Sequence, residues 1–227
     1  MAHFQDLFGI PETEVRTTCI LAPFLYKGVL QDLTVGKLHK GVRFSSASTD
    51  QFTFIHTNIG ATQVGDCILH LKETDCTDVI LYGACGSVLD DSSTTIGTIV
   101  TPNKAYSFES FSQLLTNDYF EPDCFLADKS LLVKFDTQQM SCASFGSLNL
   151  EQKYLKQLKD MSVNVVDMET SAFYAACQQT NLNGIALLYV TDFLSKANVF
   201  DRKSALDSSL IVEAQQTCIA HINNFLN

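Results

Sequence analysis

The chain has 227 residues, 46% hydrophobic and 18% charged, with 4 Pro. That is enough apolar material for a substantial core, and no Pro/Gly/Ser-rich linker divides it, so one domain over residues 1–227 is expected. A formal net charge of −10 with a pI near 4.8 argues against a nucleic-acid partner, because polyanion binding relies on Lys and Arg to release counterions.

In chain order, β-branched and apolar runs predict strands over 17–21 and 51–57, and an amphipathic pattern predicts a helix over 61–72. A strand over 78–82 runs into Gly83-Ala84-Cys85-Gly86, read as a tight turn of small residues. A strand over 97–101 precedes an aromatic, weakly periodic stretch, 108–128, read as a mobile flap or an interface. A strand over 139–143 and a helix over 150–159 follow, then a strand over 162–166, an Ala-rich helix over 170–180, a strand over 184–190 and a final helix over 205–225. This alternation predicts an α/β fold, a three-layer α/β/α sandwich around a central mixed, largely parallel sheet. No apolar run of about 18 residues is present to span a bilayer. The start, Met1-Ala2-His3-Phe4-Gln5-Asp6, lacks the basic and then apolar pattern of a secretory signal.

The 8 cysteines are scattered, without a C-x-x-C or a Cys/His cluster, which predicts reduced thiols, a cytosolic protein and no bound metal. Cys85 reads as a buried structural thiol, since no nearby base is identified to activate it. There is neither a G-x-S-x-G elbow, nor a P-loop, nor a dinucleotide fingerprint, and no cofactor is expected.

The most informative run is Val165-Val166-Asp167-Met168-Glu169-Thr170-Ser171-Ala172, answered by Val190-Thr191-Asp192. Each part reads as an apolar strand ending in a carboxylate. With the helix between them they form a β-α-β unit, whose strands are expected to lie parallel and deliver Glu169 and Asp192 to one crevice at the strands' carboxyl ends. The plainer alternative leaves Glu169 in a helix's first turn and Asp192 as a cap.

Together these residues resemble the nucleoside phosphorylase and nucleosidase superfamily. The likeness rests on Gly83-Ala84-Cys85-Gly86, on the Met168-Glu169 run and on Thr191-Asp192, with Asn58-Ile59-Gly60 similar to the family's small-residue turn before a helix. It is closer to the methylthioadenosine/S-adenosylhomocysteine nucleosidases and the futalosine hydrolases. The resemblance implies that Glu169 grips the ribose hydroxyls with Met168 packed on the sugar. It further implies that Asp192, with Thr191 beside it, protonates the purine at N7, that Phe145 stacks on the base, that Ala84 lies at the pocket and that Phe200 closes over it. A small-molecule nucleoside substrate and a homodimer are likewise implied, with Tyr106, Phe108 and Phe111 as candidate contacts or ordinary core.

Cleaving an N-glycosidic bond builds positive charge on the ribose and negative charge on the departing base, so protonating that base stabilises the transition state. Asp192 is therefore expected to hold a proton and Glu169 to stay charged. Where phosphate-using relatives carry Arg and then Ser or Thr, this chain has Leu81 or Tyr82, and Ala84. That pattern favours water as the nucleophile, hence hydrolysis of a 5′-modified adenine nucleoside (methylthioadenosine, S-adenosylhomocysteine or aminodeoxyfutalosine, the last implying menaquinone synthesis). Two alternatives stay open. Arg43 would supply the phosphate contact of a phosphorylase, and the loop Leu21-Ala22-Pro23-Phe24-Leu25-Tyr26-Lys27 lacks the nucleosidases' Glu, as a non-catalytic nucleoside-binding protein would.

Overall fold

The computed structural model describes residues 2–26, 28–89, 93–196 and 203–227. In chain order its elements are α1 (Ala2–Phe8), β1 (Thr18–Ala22), α2 (Val29–Asp32), β2 (His39–Lys40), β3 (Ser45–Ser48), β4 (Thr53–His56), α3 (Ala61–Leu71), β5 (Asp78–Ser87) and β6 (Ile99–Phe108). They continue with α4 (Phe111–Thr116), β7 (Cys124–Leu126), α5 (Lys129–Leu132), β8 (Gln138–Phe145), α6 (Leu155–Asp160), β9 (Val165–Asp167), α7 (Thr170–Thr180), β10 (Asn183–Phe193) and α8 (Ala205–Leu226). Short 3₁₀ turns cover Glu12–Glu14 and Leu148–Tyr154.

The strands form one mixed sheet in the order β10-β6-β8-β9-β5-β1-β4-β3-β2, with β7 on β6 and β10 also paired to β5. Its two longest ladders, β5 with β10 and β6 with β8, are parallel. β5 and β10 are buried along most of their length, as parallel strands covered by helices must be. β10 fills one edge of β5 along its whole length, so the other edge takes β1 at Thr18–Leu21 opposite Asp78–Leu81, and then β9 opposite Gly86 and Ser87.

Helices cover both faces. Residues of a strand alternate sides. Gly184 of β10 lies against Cys177 and Phe173 of α7, so closely that a Cβ there would meet Cys177 Sγ at 2.6 Å. Tyr189, an odd number of positions on, accepts a hydrogen bond from Gln215 of α8 at 3.1 Å and therefore faces the opposite layer. α3 packs beside α7. α7 ends where Asn181 takes the left-handed conformation (φ 58°) and returns its N–H to Cys177, a standard helix stop.

Two sequence expectations are corrected. Gly83 to Gly86 is not a turn: β5 continues through it to Ser87, and the small residues serve close approach by neighbouring strands. Nor do β9 and β10 form a parallel β-α-β unit. β9 runs antiparallel to β5 and β10 runs parallel to it, so β9 and β10 point in opposite directions. What brings their acids together is that both flank Gly86, which pairs with Val166 on one side and Asp192 on the other.

Beside the main core lies a second apolar cluster of Phe108, Leu114, Phe145, Tyr154, Leu158 and their neighbours, anchored by a stack of Phe108 on Phe145 at 4.8 Å between centroids. The stretch 108–128 thus contributes to the core through Phe108 and Leu114 while Phe111, Leu115 and Tyr119 are exposed. Phe145 is 0% exposed, so Phe145→Ala is expected to cost about 3–5 kcal/mol of stability, as a buried ring deletion does. Urea unfolding of the variant measures this.

Candidate active site

The β9–α7 junction is held by a buried hydrogen-bond network centred on Asp167. Its Oδ1 accepts from Ser144 Oγ at 2.6 Å and its Oδ2 from the Thr170 N–H at 2.9 Å, so Asp167 satisfies one of the four amides a helix start leaves open. The Ser171 N–H donates in turn to Ser144 Oγ at 2.8 Å, and Ser171 Oγ donates to Glu109. With the helix capped by Asp167, Glu169 turns away from it and accepts the Gly60 N–H at 2.7 Å. Gly60 sits at φ +117° in the turn before α3, a conformation that suits glycine. The sequence therefore places a carboxylate against a backbone amide contributed from more than a hundred residues earlier.

Across β5, the ladder with β10 slips by one residue between Val190 and Asp192. Such a bulge re-aims side chains: Thr191 lines the cleft and donates from Oγ1 to Asp192 Oδ1 at 2.7 Å. Asp192 lies just behind the wall, 6% exposed, with Oδ2 3.2 Å from where a Cβ on Gly86 would stand. Glycine at 86 is what lets the carboxyl approach the cleft.

The cleft between these elements encloses about 780 Å³ of space outside protein atoms, open solvent at its entrance included. It is lined by the strip Gly83 to Gly86, by Met168 and Glu169, by Tyr82 and Tyr189, and by Pro23, Phe24 and Ile59, of which Phe24 and Ile59 are exposed. Among the described residues no Lys or Arg lines it, and no group of His, Cys, Asp and Glu is arranged to hold a metal.

Burial, then Asp167, pushes Glu169 up to about 8, against the opposing Gly60 bond. Burial also raises Asp192, opposed by Thr191 and Lys203. The expected split, with one acid neutral and one charged, is thus not what burial favours: both carboxyls are shifted toward their protonated forms, Asp192 in spite of the Lys203 charge. A third acid, which the sequence reading missed, joins them. Glu151 lines the cleft, is 7% exposed, and has an Oε1 without any hydrogen-bond partner. Burial, then Asp192 and Asp167, lifts it to about 8. Only its place in a helical-looking polar stretch was visible beforehand, and nothing there marks it as buried.

These shifts fix the sign of a pH dependence. The unfolded chain releases the Glu151 and Glu169 protons near 4.5, whereas the folded chain holds them to about 8. Stability is therefore fullest below about pH 4.5 for these groups and falls as pH rises toward 8, by at most about 1.4 kcal/mol per unit for each group. Glu169→Gln is expected to flatten the decline in melting temperature between pH 5.5 and 8, measured by thermal melts in matched buffers.

Of the other predicted residues, Met168, Ala84 and Thr191 line the cleft. Phe145 does not. Its ring is spent on Phe108 and Tyr154 in the second cluster, because β8 points it into the core, and Leu148 lines the cleft in that region. Phe200 lies outside the described residues. Arg43 pairs with Asp66 at 2.9 Å away from the cleft, and Cys85, though it lines the cleft, has a thiol raised well above its ordinary range by burial.

Comparison with curated protein sequences finds no match. Solved structures do match, over nearly the whole chain. Uridine phosphorylase from Vibrio fischeri superposes with a TM-score of 0.74 at 15% identity, covering 97% of this chain and 95% of that one. A futalosine hydrolase mutant of Helicobacter pylori gives 0.69 at 14%, covering 92% and 98%. The 5′-methylthioadenosine/S-adenosylhomocysteine nucleosidase of Campylobacter jejuni gives 0.70 at 10%, covering 91% and 96%. At such identities these establish the shared fold. The family model of the phosphorylase superfamily matches residues 17–223, which is nearly the whole sheet and its helices, and the chain accordingly belongs to that superfamily of nucleoside phosphorylases and nucleosidases.

Proposed function

We propose that the protein hydrolyses the N-glycosidic bond of a 5′-modified adenine nucleoside, releasing adenine. The observation that carries this reading is the cleft itself: Glu169 lines it, the Asp192 carboxyl lies against Gly86 of its glycine strip, and among the described residues no cation lines it. A phosphate dianion is best held by cationic donors. Here Pro23, Phe24 and Ile59 line the cleft, a surface suited to an apolar 5′ substituent such as a methylthio group.

In this reading the ribose hydroxyls donate to Glu169. Those donors, with the positive charge developing on the sugar, draw the carboxyl to its ionised form. As the C–N bond breaks, its electron pair leaves with the base, and the proton held on Asp192 passes to the base nitrogen. Water then bonds to the sugar carbon and gives up a proton to solvent. Asp192 receives its proton back for the next turnover. Thr191 holds Asp192 in place through its 2.7 Å bond, and Met168 packs on the sugar. The protein acts as a cytosolic homodimer in this account.

The reading is tested by base release from methylthioadenosine, S-adenosylhomocysteine, aminodeoxyfutalosine and uridine. Adenine release from one of the first three, with uridine intact, supports it. Cleavage of uridine alone overturns it.

A further inference from the structure

Asp167 lines the cleft together with Glu169, yet its carboxyl has nothing left to offer a ligand. The residue is 5% exposed. Its Oδ1 accepts from Ser144 Oγ at 2.6 Å and from Cys142 Sγ at 3.4 Å, and its Oδ2 from the Thr170 N–H at 2.9 Å and from Thr170 Oγ1 at 2.5 Å. Four donors are about what the two oxygens of a carboxylate accept. A carboxyl so completely bonded within the chain acts on the chain.

Helix α7 shows how. Glu169 stands at its N-cap, and the Glu169 carbonyl accepts the first bond of the helix, from the Phe173 N–H at 2.9 Å. A carboxylate in that place ordinarily bends back onto the second or third amide of its own helix, a contact between chain neighbours that closes only a short loop. Glu169 makes no such bond, and its carboxyl accepts instead from Gly60, 109 positions away in the chain. The start of α7 is already occupied: the Thr170 N–H by Asp167, and the Ser171 N–H by Ser144 Oγ at 2.8 Å, with Ser144 itself held by Asp167. Ser171 Oγ is fixed on Glu109 as well. We propose that Asp167 is the positioning residue of the site: it takes over the capping of α7, so that the Glu169 carboxyl stays on Gly60 and open to the cleft, and without it Glu169 caps its own helix and is lost to the ligand. The kinetic consequence rests on the reading of Glu169 as acceptor for a nucleoside's sugar hydroxyls, and the structural one on the hydrogen bonds alone.

The structural half is read without substrate, from the Gly60 amide proton by NMR. In wild type its shift is expected to move with pH as Glu169 titrates at about 8, and Glu169→Gln to abolish the movement. Asp167→Ala is expected to abolish it too, because the Glu169 carboxyl has left for α7. Asp167→Asn is expected to restore it, since the amide oxygen still accepts the Thr170 N–H while the Ser144 hydroxyl turns to accept from the amide nitrogen. A Gly60 proton that still titrates in Asp167→Ala overturns the proposal.

The kinetic half is kcat/KM on methylthioadenosine. Asp167→Ala is expected to lose about 10²-fold, close to the loss in Glu169→Gln, and the double variant to fall within about threefold of Glu169→Gln alone, because both substitutions remove the same contact. Asp167→Asn is expected to recover at least about tenfold of that loss. Losses that add in the double variant, as an unrelated structural defect gives, overturn the proposal. If wild type cleaves no nucleoside, the nucleoside reading has failed and the Gly60 proton alone decides the role of Asp167. If Asp167→Ala does not fold, Ser144→Ala takes its place: it frees the Ser171 N–H for Glu169 and is expected to shrink the Gly60 shift change, and a change of wild-type size overturns the proposal.

Discussion

Asp192→Asn lowers kcat for base release by about 10²- to 10⁴-fold, the range a positioned general acid contributes, and leaves substrate affinity within about threefold, as expected when only a transition-state interaction is lost. The substitution is nearly isosteric, and the amide oxygen still accepts from Thr191 Oγ1 as the carboxyl does. The bulge that aims the side chain is unchanged, so the loss is of the proton. In the folded protein burial keeps that proton on Asp192 above the ordinary carboxylate range, and an amide offers none of comparable acidity to a departing base. Single-turnover kinetics with direct binding separates the two quantities. Near-wild-type turnover removes Asp192 from the chemistry.

Glu169→Gln has a different signature. It is expected to lower kcat/KM by about 10²- to 10³-fold with a rise in KM as well, because hydrogen bonds to a charged acceptor contribute about 1.5–3 kcal/mol each and two ribose hydroxyls lose them together. Gln retains an oxygen for the Gly60 N–H, so the turn before α3 stays in place and the fold survives. What disappears is the negative charge available to the sugar as its positive charge develops. Steady-state kinetics of the variant on the nucleoside and on a 2′,3′-dideoxy analogue checks the assignment. The substitution should cost less on the analogue, which lacks the hydroxyls, than on the nucleoside, and an equal loss on both would place Glu169 elsewhere in the mechanism.

Much of this was legible in the sequence where periodicity and local chemistry agree. The helix α7 begins and ends at the predicted residues, Thr170 and Thr180, because an Ala-rich run without Gly or Pro leaves no competing local structure. Of the strands, β2, β3 and β7 were not predicted, and the longest of the others were cut short. β5 and β6 each run well past their apolar stretches, to Ser87 and Phe108, since small or polar residues in a strand carry no signal of the partners that pair with them. The two acids were found from local pattern, and the reason for their meeting was misread. Opposed strands flanking Gly86 depend on long-range pairing, which no window of sequence contains.

The site residues divide in the same manner. Met168, Glu169, Ala84 and Thr191 are fixed by the strand ends and the glycine strip that the sequence displays, and the structure brings them to one cleft. Phe145 was assigned to a base by resemblance, but which face of β8 it occupies depends on the cluster around Phe108, which forms from distant segments. Glu151 was invisible because its burial comes from those same segments. A polar stretch of Leu148–Tyr154 gives no sign that one of its carboxyls is sealed against solvent.

The most direct test of the account is the fate of the sugar when the purified protein cleaves methylthioadenosine in the presence and absence of inorganic phosphate. The account predicts adenine release at equal rates in both, with free methylthioribose as the only sugar product. Release that requires phosphate and yields a sugar 1-phosphate would contradict it, and would mean that a phosphate is held in a cleft whose described walls carry no cation.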